Sequence, residues 1–190
     1  HFWDPFFTAC QETETVICMH IGSSSKMPST SPDAPFSVSS TITFANAMGS
    51  MCDYILSGIF VRFPKLRIAY AEGQVGWMPY VVERMDKIWE ERGDASFGID
   101  LPNPPSSYIN NHIWGCIFDD EIGLKNRDII GMSQICFEVD FPHADTTFPN
   151  TLKVATKICE EAGLSEDEIY RLMRGNAIDC FGLERFGITV

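Results

Sequence analysis

Two segments of the sequence place side chains that can bind a metal ion or move a proton directly after an apolar run. Residues 135–139 are predicted to form a buried strand, and Asp140 follows at its end, with His143 close behind. Residues 15–21 are predicted to form another strand, which carries His20 near its end. Because the chemistry of parallel α/β proteins lies at the carboxyl ends of strands, the two segments predict a site for metal binding or general base catalysis.

Strands and helices are predicted to alternate along the whole chain. Short apolar and β-branched runs indicate strands, and apolar residues at three- and four-residue spacing indicate helices. The predicted strands are 15–21, 66–72, 113–118 and 135–140. The predicted helices are 37–62, 77–92, 121–130, 149–162, one that begins with a capping box at 165–168, and 176–183. This alternation predicts a parallel sheet in which the four strands are neighbours in chain order.

Length and composition limit the fold and the partners. The 190 residues, 45% of them hydrophobic, fit a single globular domain over 1–190. A complete (β/α)₈ barrel needs about 250 residues, so the open alternatives are a small doubly wound sheet and half of a barrel. No apolar run is long enough to predict a membrane span. The net charge of −12 argues against nucleic acid and anionic membranes as partners.

The cysteines and the first residues give two further expectations. None of the seven cysteines has the two-residue spacing of a zinc knuckle or a redox motif, so they are interpreted as small hydrophobic residues. A reducing, cytoplasmic location follows. The aromatic residues Phe2 and Trp3 are expected to be buried.

Six segments of the chain form a recognisable series. They are HFWDPF (1–6), CMHIG (18–22), GIFVRFPKLRI (58–68), EGQVGWMP (72–79), DFPHAD (140–145) and GNA (175–177). In this order they resemble the C-terminal half of the amidohydrolase-2 family, the branch that includes aminocarboxymuconate-semialdehyde decarboxylase. The resemblance implies a metal-dependent α/β enzyme of the (β/α)₈ TIM-barrel type, of which this chain carries about half, as strands five to eight.

The resemblance also assigns roles to individual residues. His20 matches the metal-ligand His at the end of strand five, and Asp140 matches the strand-eight Asp that binds the metal and handles protons. Glu72 falls where the decarboxylases of the family carry a catalytic His. The two histidines, one residue apart, of the family's first strand have no counterpart here. The implied cofactor is a divalent metal, with Zn²⁺ preferred.

The sequence therefore predicts a metal-dependent hydrolase of a small organic acid or ester-like substrate, with decarboxylation as the close variant. His20 and Asp140 are the predicted metal ligands. Asp140, Glu72 and His143 are the predicted catalytic residues, with His143 orienting substrate or relaying protons. The partners expected are a small-molecule substrate and either a second copy of the chain or the missing N-terminal half.

Two alternatives remain beside this prediction. A half-barrel without the strand-one ligands could serve as a non-catalytic scaffold or assembly subunit. A doubly wound nucleotide-binding domain is the other alternative. It is disfavoured because no strand is followed by a glycine-rich phosphate loop, the segment 73–76 being too short.

Overall fold

Four parallel strands form one sheet, in the order in which they occur along the chain. A computed structural model describes residues 2–21, 26–93 and 98–189. The strands are β1 (Ile17–His20), β2 (Ile68–Ala71), β3 (Ile113–Ile117) and β4 (Ile135–Phe137). In the register, Ile17 lies opposite Ile68, and Gly115 lies opposite Ile135. The predicted order and direction of the strands are confirmed, and each strand is shorter than predicted.

Helices connect the strands, and each crossover returns the chain to the same end of the sheet. The helices are α1 (Asp4–Glu12), α2 (Phe36–Thr41), α3 (Phe44–Leu56), α4 (Ile59–Arg62), α5 (Met78–Arg92), α6 (Glu121–Lys125), α7 (Arg127–Ile130), α8 (Thr151–Glu161), α9 (Glu166–Tyr170) and α10 (Asn176–Phe181). Within the described part of the chain, no helix is both long and apolar enough to cross a bilayer.

The single helix predicted over 37–62 is wrong, because the chain forms three helices there. In α2, the hydroxyls of Ser40 and Thr41 donate to carbonyl oxygens one turn earlier, and such bonds compete with the regular helical ladder. Gly58, with φ of 68°, then separates α3 from α4, since glycine adopts this left-handed conformation without steric cost. The predicted helix over 121–130 is likewise interrupted at Asn126.

The two faces of the sheet have different neighbours. Ile68, Ile113 and Ile135 belong to the large core that the helices form on the outer face. On the opposite face, which we call the inner face, Ala69, Trp114 and Cys136 pack against α10. This division follows from the alternation of side chains along a strand. Among the described residues, α10 covers the inner face.

The expected burial of the aromatic residues at the start of the chain is wrong. Phe2 is 86% exposed and Trp3 63% exposed, whereas Phe7, one turn further along α1, is buried. The ring of Phe7 contacts the rings of Tyr54 and Phe63, which lie on neighbouring helical segments. The rings of Phe2 and Trp3 contact each other just before the start of α1.

The interpretation of the cysteines as small hydrophobic residues holds where α10 covers the inner face. Cys136 and Cys180 are buried there, and burial raises the pKa of the Cys136 thiol to about 12, so it stays protonated. Cys18 is exposed, against expectation. It lies on β1 at the edge of the sheet, whereas α10 contacts β4.

We predict that the purified 190-residue chain self-associates, because β1 and β4 are open edges of the described sheet and exposed edges bind further strands. Cys18→Lys should weaken this association, since Cys18 lies opposite Ala69 and therefore shares the inner face. Tyr80→Lys, at a 73% exposed position on α5, is the matched control. Sedimentation velocity over a concentration series measures the effect, and a monodisperse monomer with a cooperative melt would contradict the prediction.

Candidate metal centre

Three predicted site residues lie at the carboxyl edge of the sheet. His20 is the last residue of β1, Glu72 follows β2 directly, and Asp140 lies three residues after β4. Glu72 and Asp140 have φ angles of 58° and 57°, in the left-handed region that non-glycine residues seldom adopt. Such backbone strain clusters at functional sites. These sharp turns bring side chains from different strands to one edge.

Glu72, Asp140 and His143 form a compact group of potential metal ligands. One ligand atom from each of these residues lies within 4.8 Å of the other two. The side chains of Glu72 and Asp140 are largely buried, at 17% and 12% exposed, and that of His143 is 62% exposed. The group offers two carboxylates and one imidazole from a single chain, one ligand more than the sequence predicted.

Each of the two histidines at this edge is paired with a carboxylate. His20 Nε2 lies 2.8 Å from Glu72 Oε1, and His143 Nδ1 lies 2.8 Å from Asp140 Oδ1. His20 is outside the group of three ligand atoms and contacts it through Glu72. The structure thus brings all four predicted residues together, with His143 rather than His20 beside both carboxylates.

A cleft of about 910 Å³ opens at this edge of the sheet, and its walls combine aromatic rings with acidic side chains. The aromatic residues are Phe36, Phe44, Trp77 and Phe118, and the acidic ones are Glu72, Asp119, Asp120, Asp140 and Asp145. Among the described residues that line the cleft, none is Lys or Arg. The cleft therefore has a negative potential, which attracts cations.

Glu138 is a further residue of the site that the sequence reasoning did not identify. Its Oε1 accepts a hydrogen bond of 2.7 Å from the backbone N–H of Glu72. Burial raises the pKa of Glu138 to about 7; the Glu72 N–H opposes this shift, and the charges of Glu72 and Asp140 add to it. The sequence could have identified Glu138, because a Glu within a predicted buried strand is rare unless its carboxylate has a partner.

Asp120 fixes the loop between Glu72 and α5. Its Oδ2 accepts hydrogen bonds of 2.7 Å from the N–H groups of Val75 and Gly76, and its Oδ1 accepts one of 2.8 Å from Gly123. Through the Gly123 bond, Asp120 also caps the N-terminus of α6. A Cβ at Gly76 would lie 2.8 Å from Asp120 Oδ1, so this close approach requires glycine.

The loop after β4 is closed by bonds to one carbonyl group. The Val139 carbonyl oxygen accepts from Thr147 N–H at 3.2 Å and from the Thr146 hydroxyl at 2.6 Å. Within the loop, the N–H of His143 donates to the Asp140 carbonyl oxygen at 3.0 Å. These contacts hold the His143 ring beside the Asp140 carboxylate.

Comparisons with known proteins agree with this architecture. A protein-family model described as amidohydrolase matches residues 1–183. The 2-amino-3-carboxymuconate-6-semialdehyde decarboxylase of Dictyostelium discoideum is 27% identical over 137 residues, which cover 71% of this chain and 36% of that protein. The chain thus matches about a third of the length of this relative.

Solved structures match the fold over nearly all of this chain. A 5-carboxyvanillate decarboxylase from Novosphingobium aromaticivorans, complexed with manganese and 4-hydroxy-3-methoxy-5-nitrobenzoic acid, has a TM-score of 0.73 at 19% identity, covering 96% of this chain and 52% of that one. An amidohydrolase from Mycobacterium avium subsp. paratuberculosis K-10 has a TM-score of 0.72 at 21% identity, covering 94% and 45%. The chain therefore corresponds to about half of a TIM-barrel amidohydrolase, as expected.

We predict that Asp120→Ala lowers the free energy of unfolding by about 2–3 kcal/mol, because three backbone N–H groups lose a charged acceptor. Asp119→Ala is the control, since Asp119 is exposed and lines the same cleft. Its effect should stay within about 0.5 kcal/mol. Urea unfolding followed by circular dichroism measures both, and equal effects of the two variants would contradict the assigned role of Asp120.

Proposed function

Because the chain belongs to the amidohydrolase family, we propose that it provides half of a metal-dependent active site that decarboxylates a small carboxylic acid. Hydrolysis of an ester-like substrate is the close variant. The observation that carries this proposal is the group of Glu72, Asp140 and His143, whose ligand atoms lie within 4.8 Å of one another beside a cleft.

The donor set of this group fits a divalent metal ion. Carboxylates suit Mn²⁺ and Mg²⁺, and imidazole suits Zn²⁺, so two carboxylates with one imidazole favour Mn²⁺ or Zn²⁺. Manganese is bound in the related 5-carboxyvanillate decarboxylase, which adds Mn²⁺ to the Zn²⁺ expected from the sequence. A bound ion would supply Lewis acidity that polarises a substrate oxygen. Glu72, Asp140 and His143 would hold it, and His20 would orient Glu72 through their hydrogen bond.

Asp140 and His143 are suited to proton transfer in either reaction. Decarboxylation breaks a C–C bond, releases CO₂ and leaves an electron pair on carbon that must accept a proton. Hydrolysis requires instead a base that takes a proton from water. The 2.8 Å hydrogen bond between Asp140 Oδ1 and His143 Nδ1 lets a proton be shared between the largely buried carboxylate and the imidazole.

The walls of the cleft favour a flat, unsaturated acid as the substrate. Phe44, Trp77 and Phe118 offer apolar surfaces for a ring or a conjugated chain. Since the described lining lacks Lys and Arg, the substrate carboxylate would depend on the metal ion for its positive partner. The two decarboxylases named above act on such molecules according to their names, which favours decarboxylation over hydrolysis.

A non-catalytic scaffold is the second candidate. It is favoured by the position of His20, which lies outside the group of ligand atoms although the family resemblance makes it a metal ligand. A scaffold would not need three ligand atoms held close together, so metal binding and turnover distinguish the two candidates.

We predict that the purified chain binds Mn²⁺ with one site, measured by isothermal titration calorimetry. Glu72→Gln, Asp140→Asn and His143→Gln should each weaken binding by about tenfold or more, because each removes a ligand atom or its charge. Asp145→Asn is the control, since Asp145 lines the cleft outside the ligand group.

The substitution His20→Ala decides between two sets of metal ligands. One is the group found in the structure, and the other is the pair of His20 and Asp140 predicted from the sequence. If His20 acts through Glu72, its loss should weaken binding less than the loss of His143. The reverse ranking, with His143→Gln close to wild type, would return His20 to the ligand set predicted from the sequence. No Mn²⁺ or Zn²⁺ binding by the wild type would contradict the metal proposal.

We predict that the protein with both barrel halves releases CO₂ from small aromatic or unsaturated acids. Asp140→Asn should abolish turnover while the melting temperature stays close to that of the wild type, because it removes a charge and a base but little volume. A panel of acids and of ester-like compounds, assayed for CO₂ and for hydrolysis products, separates the two reactions. Near-normal turnover of Asp140→Asn would refute the role of Asp140.

A further inference from the structure

Glu138 contacts the site through one hydrogen bond, to the backbone of the residue that follows β2. Its own N–H donates to the Ile117 carbonyl oxygen at 2.8 Å, which anchors its backbone to β3. Its carboxylate then accepts the N–H of Glu72, at the end of β2, at 2.7 Å. Because β3 lies between β2 and β4 in the sheet, this side chain ties together two strands that are not neighbours.

The N–H that Glu138 binds belongs to a residue with a strained backbone conformation. Glu72 has φ of 58°, a left-handed conformation that L-residues seldom adopt unless the surroundings hold it. The neighbouring Ala71 is still within β2, and its carbonyl oxygen accepts from Ile21 N–H at 3.0 Å. The chain therefore turns sharply at Glu72, and that turn carries its side chain to Asp140 and His143.

We propose that Glu138 is a positioning residue, whose side-chain oxygen holds Glu72 in the left-handed turn that places the Glu72 carboxylate in the ligand group. The inference rests on the proposed metal site. Glu138 lies outside the ligand group and outside the lining of the cleft, among the residues that the structure describes. Its role requires a hydrogen-bond acceptor and not a negative charge, which separates it from a ligand or a base.

The substitutions Glu138→Gln and Glu138→Met separate these roles. Gln keeps an Oε1 acceptor at the same place without the charge, and Met keeps a similar length without an acceptor. By Mn²⁺ titration, we expect Glu138→Gln to stay within about threefold of the wild type and Glu138→Met to bind about 10- to 100-fold more weakly. In a Glu72→Gln background, Glu138→Met should cause no further loss, since the two residues act as a unit.

Amide hydrogen exchange at Glu72 tests the contact without any metal. We expect the Glu72 N–H to be protected in the wild type and in Glu138→Gln, and to exchange much faster in Glu138→Met, with the Ile21 N–H as the internal control. An unprotected Glu72 N–H in the wild type would overturn the proposal even if Glu138→Met failed to fold.

Three further results would also overturn it. These are equal losses of Mn²⁺ affinity in Glu138→Gln and Glu138→Met, wild-type affinity in Glu138→Met, and an additive loss in the Glu72→Gln background. If the wild type binds no Mn²⁺, the metal proposal fails, and the exchange of the Glu72 N–H still decides the role of Glu138.

Discussion

The burial of carboxyl groups beside one another is the constraint on which the carboxyl edge of the sheet depends. Glu72, Glu138 and Asp140 lie close enough that Glu72 and Asp140 add to the raised pKa of Glu138, which reaches about 7 through burial above all. Contacts with two imidazoles and one backbone N–H offset the cost of this burial. A divalent cation would complete the balance, because it supplies the largest local positive charge available to a protein site.

Hydrogen bonds within the surrounding loops hold these groups in place. Asp120 ties the segment after β2 to the start of α6, so the position of Glu72 depends on a residue that follows β3. The Val139 carbonyl oxygen closes the loop after β4 and fixes His143 over Asp140. Each site residue is thus positioned by a neighbouring strand or loop, which is the second layer of support that metal sites need.

The inner face of the sheet is only partly covered by the described residues. Side chains on the outer face are buried by helices, as in a complete barrel, whereas the inner face is covered at Ala69, Trp114 and Cys136 by α10 and left open at Cys18. In a complete barrel the interior is filled by side chains from opposite strands. The site lies at the rim of this same face. Elements that cover the open part of the face would therefore also border the site.

The sequence alone determined the parallel sheet, the order of its strands and the presence of His20, Glu72 and Asp140 at strand ends. These features depend on local hydrophobic runs and on the rule that parallel strands share one carboxyl edge. The sequence did not determine that the segment 37–62 breaks into three helices, because competing Ser and Thr side-chain bonds and one left-handed glycine override the helical spacing. Nor did it reveal which histidine joins the ligand group or what Glu138 binds. Those contacts depend on strand register and on two left-handed backbone turns, and only the tertiary structure sets both.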